Sequence, residues 1–337
     1  MPSALQRAVH AEVVKTKERS GWPVKRTLRG LGVSPASYYR WRKEAEQKQE
    51  VESSPRQVQV YEATSVEQEA VRAYALKHPG IRHRELAWRM VDEDVACLSP
   101  STVYRILKEK NLVAPWRRRA KRQREEEEKP SRADEVWATD LMYLSVSGRT
   151  YYLATFLDEY SRVIVHHALV PNMEGGTVSI EAQAAIEKFL QARGGEIPTA
   201  GMPRVRSDNG SCYISREFRG VLDEQGLGHQ RIKPHCPEEN GVIERSNRTL
   251  REALEGEELK DLQQARDVLG RIVKWYNTER LHSALGYLRP IDYYRGEPES
   301  LQAARRTKLA TARQRRKEAN LKLRQRQLPL EHPGECR

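Results

Sequence analysis

Long apolar runs are missing from this 337-residue chain. No stretch of about 18 apolar residues occurs, which excludes a transmembrane helix. The N-terminus, Met1–Val9, has no apolar h-region, which excludes a secretory signal. Cysteine is scarce: Cys97, Cys212, Cys236 and Cys336 are widely spaced and no C-x-x-C occurs. That argues against a disulfide framework and a cysteine-based zinc site, and for a reduced intracellular setting.

Charge, by contrast, is abundant. Lys and Arg number 59 against 47 acids, a net charge of +12. Such a balance points to nucleic acid or an anionic membrane surface. Its distribution says more: residues 1–130 carry +9, residues 131–300 carry −5 and residues 301–337 carry +8. A uniformly basic coat protein is excluded, and binding flanks separate from an acidic working centre. The length predicts two or three domains at ~150 residues each.

Two N-terminal segments share one pattern. Val33-Ser34-Pro35-Ala36-Ser37-Tyr38-Tyr39-Arg40 and Leu98-Ser99-Pro100-Ser101-Thr102-Val103-Tyr104-Arg105 both read apolar-Ser-Pro-x-[ST]-x-Tyr-Arg. Ser caps a helix and Pro suits its first position. Each capped helix follows an amphipathic one, at about Val24–Leu31 and His83–Val91. Helix, turn and basic helix make the helix-turn-helix pattern, whose second helix reads the major groove. The side chains placed to meet DNA are Tyr39, Arg40 and Arg42 in the first module, and Tyr104, Arg105 and Lys108 in the second. The plainer alternative is two ordinary helical hairpins. After them, Arg117, Arg118 and Arg119 open a basic block that an acidic block follows. This is either a solvated linker or a strap along a DNA backbone.

From Glu135 the pattern changes to β. Val136–Val146, Tyr151–Leu157 and Val163–Val170 predict an antiparallel meander. Gly175–Ala192 and Ile214–Gln225 predict helices, with short strands at Pro203–Arg206 and His229–Lys233. Long helices are expected at about Glu238–Leu254 and Leu259–Thr278. The sum is an α/β core, a mixed sheet flanked by helices. The tail Gln302–Gln327 has ten Lys/Arg and one acid, and reads as one polar helix or a segment that orders on binding.

Three acids stand out in this core. Asp140 interrupts an apolar strand, where a carboxylate is costly unless paired or bound to a cation. Asp208 ends the fourth strand before Asn209-Gly210, at the sheet's carboxyl edge. Glu244 follows Val242-Ile243 on a helix. Two strands and a helix can bring three carboxylates into an oxygen cage for Mg²⁺. Taken singly, Asp208 could be a turn former and Glu244 a surface residue. Asp158 and Glu159 compete, but a strand end beside a turn suits a solvated role.

The run W-x-T-D, then S-D-N-G-S-x-Y, then P-x-x-N-G-x-x-E-R-x-N-R-T-L, with 35 residues between Asp208 and Glu244, resembles the DDE transposases of bacterial insertion sequences. It is most similar to insertion-sequence family three, whose core ends in a segment like Trp275-Tyr276-Asn277…Arg280-Leu281-His282-Ser283-Ala284-Leu285-Gly286-Tyr287…Pro290. The resemblance covers residues 130–295 strongly and the helix-turn-helix region less so. It implies a ribonuclease H-like five-stranded core shared with retroviral integrases. Asp140, Asp208 and Glu244 match the catalytic, metal-holding acids, for Mg²⁺ or Mn²⁺ with two ions per site. Arg251 matches a basic position near that site and, at i+7, shares Glu244's face; Arg248 is a further DNA candidate on the helix. The implied partners are double-stranded DNA, as terminal inverted repeats and target, and a second copy of the chain or more. The implied setting is a bacterial cytoplasm, on the nucleoid, with no membrane. No His-His-Cys-Cys zinc domain precedes this core, and tandem helix-turn-helix modules stand there instead.

The domains expected are 1–47, first helix-turn-helix; 48–64, linker; 65–113, second helix-turn-helix; 114–134, charged linker; 135–298, catalytic core; and 299–337, basic tail. Two other functions compete with a transposase that cleaves and transfers strands: a DNA-binding regulator without chemistry, and a nuclease on the same fold. Asn209 and Ser211 could hold Asp208, contact substrate or serve the turn. His235 falls in a loop before the catalytic helix, and Asn240-Gly241 either hinges or begins that helix. Tyr276, Asn277, Arg280 and His282 are signature residues whose physical job could be packing.

Overall fold

The computed structural model describes residues 4–43, 58–113, 129–198, 201–233 and 236–327. By contacts the chain falls into two units, Met1–Thr64 with Arg313–Arg337, and Ser65–Ala312. No helix among the described residues is long and apolar enough to cross a membrane.

The first unit begins with α1 (Ala4–Ser20), α2 (Val24–Gly30) and α3 (35–43). Gly32, at φ +65, turns the chain after α2. Ser34 Oγ then accepts from the Ser37 N–H at 3.1 Å, capping α3 as its sequence requires. Val9, Val13, Leu28 and Tyr38 form a small core. The unit also holds the end of a long C-terminal helix, where the Asn320 side chain donates to the Gln59, Val60 and Glu62 carbonyls.

The second unit starts with α4 (Ser65–Lys77), α5 (His83–Asp92) and α6 (Pro100–Glu109). Ser99 caps α6 by accepting from the Thr102 N–H at 3.3 Å. The twin motifs use their residues alike. Tyr38 and Val103, at the same motif position, are buried, and the next residue, Tyr39 or Tyr104, is exposed. A helix with one inward stripe requires this alternation.

The sheet has strands β1 (Val136–Val146), β2 (Arg149–Asp158), β3 (Ile164–Val170), β4 (Arg204–Ser207) and β5 (His229–Arg231), in the order β3-β2-β1-β4-β5. The first three are antiparallel, and β4 and β5 run parallel to β1. Ser147 and Gly148 both have positive φ, the two-residue turn that matches strand twist in a hairpin. Trp137, fully buried, donates its indole N–H to Asp134 at 2.9 Å. On one face lie α7 (Gly175–Gln191), α8 (Ser211–Ile214) and α9 (Arg216–Glu224), around Trp137, Phe156, Phe189 and Phe218. On the other lie α10 (Gly241–Leu254) and α11 (Leu262–Thr278), around Met142, Leu153, Ile243, Leu250 and Leu269. Each such side chain contributes about 1.5–3 kcal/mol by leaving water.

Short α12 (Pro290–Tyr294) leads into α13 (Pro298–Gln327), the single polar helix expected of the tail. In the second unit α13 is tied by Arg305, which pairs with Asp92 of α5 at 2.7 and 2.5 Å. The same guanidinium donates to the Gly286 and Tyr287 carbonyls of the core and lies 5.0 Å from the Trp88 ring.

Some boundaries differ from expectation. The helix expected over Ile214–Gln225 is two helices, because Ser215 leaves helical geometry to cap α9 through the Phe218 N–H. The strand expected over His229–Lys233 ends at Arg231, and the helix expected from Glu238 begins at Gly241, after a 3₁₀ turn over Pro237–Asn240.

Candidate active site

Asp140 sits in the middle of β1, with its carboxylate largely shielded from water. Its Oδ1 accepts from the Leu141 N–H at 2.9 Å and its Oδ2 from Asn247 Nδ2 at 2.8 Å. Asn247 is itself held, because its Oδ1 accepts from Thr155 Oγ1, on β2, at 3.4 Å. Burial first, and the Asp208 and Glu244 carboxylates with it, push the Asp140 carboxyl up to about 6. The three acids therefore share one electrostatic neighbourhood.

Asp208 stands one residue past β4. Its Oδ1 accepts from the Gly210 N–H at 2.8 Å, a turn that aims the carboxylate outward. A Cβ at Gly210 would lie 2.9 Å from that oxygen, so a larger residue there would push the carboxylate aside. Asn209 does not hold Asp208; its side chain donates to the Ile232 carbonyl at 3.1 Å and ties the loop to the end of β5. Ser211 begins α8. Glu244 is exposed on the first turn of α10.

The donor set is all carboxylate oxygen, which suits hard divalent cations. A cation would also relieve the repulsion that keeps Asp140 hard to ionise. Among the described residues no three acid, histidine or cysteine side chains already stand as a closed metal cage. The site is open, and exposed Glu244 is the member with room to move inward.

Asn247 is the contributor that sequence reading missed. Its signal was the spacing: three residues after Glu244 it lies on the same helix face. Asp158 and Glu159 require a correction, since both are buried rather than solvated. Asp158 accepts from the Asp134 N–H and from the Ser161 N–H and hydroxyl, and Glu159 pairs with Arg206 at 3.2 Å. They are scaffold for the β2–β3 turn.

The DNA candidates divide by place. On α6, Tyr104, Arg105 and Lys108 form one exposed face. On α3, Tyr39 (47% exposed), Arg40 and Arg42 face solvent. On α10, Arg251 is exposed, and Arg248 pairs with Glu252 at 2.9 Å across a wet surface, a weak tie. Arg117, Arg118, Arg119 and His235 lie outside the described residues. Of the signature residues, Tyr276 is buried and Asn277 clasps both backbone groups of Ile164, at 2.9 and 3.0 Å.

With this geometry in view, comparison with known proteins gives consistent matches. Two models of the integrase core domain match residues 130–237 and 225–290, and a transposase model matches residues 6–87. The transposase of insertion sequence element IS904 from Lactococcus lactis is 30% identical over 167 residues, which cover 49% of this chain and 63% of that protein. An uncharacterized 39.2 kDa protein of insertion element IS476 from Xanthomonas euvesicatoria is 30% identical over 63% of this chain and 61% of its own length. A 31.7 kDa protein of insertion element IS407 from Burkholderia multivorans is 28% identical over 71% of this chain and 86% of its own. The chain thus spans about three fifths of the length of the first two relatives. The five-stranded mixed sheet and the helices on both its faces lie within the residues that the two integrase core models match.

Proposed function

We propose, for a chain that carries the integrase core of the retroviral-integrase superfamily, the function of an insertion-sequence transposase: a DDE-type polynucleotidyl transferase that cleaves DNA at element ends and joins them to a target. What supports this reading is that the Asp208 and Glu244 carboxylates, from the end of β4 and from α10, add to burial in raising the Asp140 carboxyl on β1, which Asn247 clamps.

In this reading the three acids hold Mg²⁺ or Mn²⁺, two ions per site. Bound there, the ions would activate the attacking oxygen and stabilise the leaving one. The chain's own part is placement. Asn247 and the Leu141 N–H keep the Asp140 carboxylate in one rotamer, with its remaining lone pairs turned to the site. The Gly210 N–H does the same for Asp208. Glu244 closes from the exposed side. The faces of α3 and α6 hold the terminal inverted repeats, and Arg248, Arg251 and the block Arg117–Arg119 hold backbone phosphates. Water attacks first and frees a 3′-hydroxyl, which then attacks the target phosphodiester. Two ends must be held together, so a dimer or larger assembly acts, on the bacterial nucleoid in the cytoplasm.

A strand-transfer assay with pre-cleaved ends, run beside a cleavage assay with Mg²⁺ and then with EDTA, tests this. Cleavage and joining, both lost with EDTA, are expected. Cutting without joining would make the protein a nuclease, and binding without either would make it a regulator.

A further inference from the structure

One group of signature side chains has no role in the mechanism above. Arg162, Arg280 and Arg245 come from the β2–β3 turn, the residues just past α11, and α10, and all three act electrostatically on His282. Their placement is built in. Arg162 holds φ +67, unusual for a residue with a side chain. The turn keeps it there: the Arg162 N–H donates to the Asp158 carbonyl at 2.8 Å, and the Asp158 carboxylate caps Ser161. Asn277 then clasps Ile164, so the turn carrying Arg162 abuts the helix end carrying Arg280.

Glu159 and Asp158 act on Arg162 from nearby, but neither forms an ion pair with it. Arg162 Nε and Nη1 and Arg280 Nη1 are buried without a hydrogen-bond partner, and none of the three arginines has a carboxylate partner among the described residues. The nearby acids are engaged elsewhere, Glu159 with Arg206 and Asp158 with its own turn. Arg280 lies 5.4 Å from the Tyr276 ring, which orients the guanidinium without neutralising it. His282 is held neutral, first by burial and then by Arg280, Arg162 and Arg245, with its basicity pushed down to about 3. Its Nδ1 accepts from the Ala284 N–H, which leaves Nε2–H as a donor. Buried donors in surplus call for an acceptor that binds.

We propose that Arg162, Arg245, Arg280 and His282 form a binding site for a phosphodiester of the DNA backbone, beside the catalytic helix α10 and separate from its acids. Guanidinium forks suit phosphate oxygens, and Arg245, next to Glu244 in sequence, sets the site one helix position from the reacting strand. This rests on the transposase reading only for the source of the phosphate.

The test is binding of a short fluorescein-labelled duplex to the full chain without divalent metal, as a function of salt. Each of Arg280→Gln and Arg245→Gln should lower the slope of log K against log salt by about 0.9, the value for one lost phosphate contact. Arg280→Lys should keep the slope, and Lys274→Gln, an exposed charge on α11, should leave it unchanged. Unaltered slopes in both glutamine variants, or an equal fall in Lys274→Gln, overturn the proposal. Should Arg280→Gln fail to fold, judged by circular dichroism, Arg245→Gln on exposed surface decides. Inorganic phosphate that raises the Tm of the unmodified chain but not of Arg280→Gln, with DNA slopes unchanged, would assign the site to free phosphate and overturn the DNA assignment. Because no metal is present, the outcome is independent of catalysis. A chain that joins DNA with unaltered slopes refutes this site alone, and one that loses the contact but never joins refutes the transposase reading alone.

Discussion

Two groups of side chains that share α10 solve opposite problems. In one, burial first and then the Asp208 and Glu244 carboxylates raise the Asp140 carboxyl to about 6. In the other, burial first and then Arg280, Arg162 and Arg245 push the His282 imidazole down to about 3, and none of the three arginines forms an ion pair among the described residues. Stable interiors pair their charges. An acidic group and a basic group that share one helix are the arrangement expected where metal ions and a phosphate backbone supply opposite charge.

Experiments can break this comparison at graded strength. The largest effect belongs to the acids: on the proposed function, in which they hold metal and not DNA, Asp140→Asn, Asp208→Asn or Glu244→Gln should abolish cleavage and joining, while gel-shift affinity for DNA stays within about a few-fold. Full activity in any of the three ends the assignment. Asn247→Ala should come next, with joining reduced up to about 100-fold, as for other groups that orient metal ligands, and partly recovered at higher Mg²⁺. A loss of DNA affinity instead would move Asn247 to the binding side.

Acid stability reads the cationic side. His282 and His167 have folded basicities pushed to about 3 and about 4, mainly by burial, below the ordinary value of 6.5. Their contribution to stability is complete above pH 6.5 and is lost as pH falls towards those values, because the unfolded chain takes up the protons first. Chemical denaturation at steps from pH 7 to 4 should show this decline, and His282→Asn should flatten it. The smallest effect is expected at Arg251→Gln, a drop of about 0.9 in the salt slope of DNA binding and no change in metal dependence.

Much of this was legible in sequence because local chemistry dictated it. Ser-Pro openings gave capped helices, and β-branched runs gave the meander. The acids at Asp140, Asp208 and Glu244 were visible because each interrupts or ends a regular pattern. What escaped depended on distant partners. That Asp158 and Glu159 are buried follows from Arg206 on β4 and the Asp134 N–H reaching the same turn. Asn247 matters because Thr155, 92 residues earlier, and Asp140, 107 residues earlier, converge on it. The break at Ser215 reflects one hydroxyl choosing a cap over continued helix.

The tie at Arg305 has a consequence in time. Its partner Asp92 is made 213 residues earlier. At roughly 5–20 residues per second, a ribosome takes about ten to forty seconds to bridge that interval. Throughout it α4, α5 and α6 exist on the nascent chain without this clasp. The tie from α5 to the Gly286–Tyr287 segment therefore forms only once Arg305 of α13 has been made.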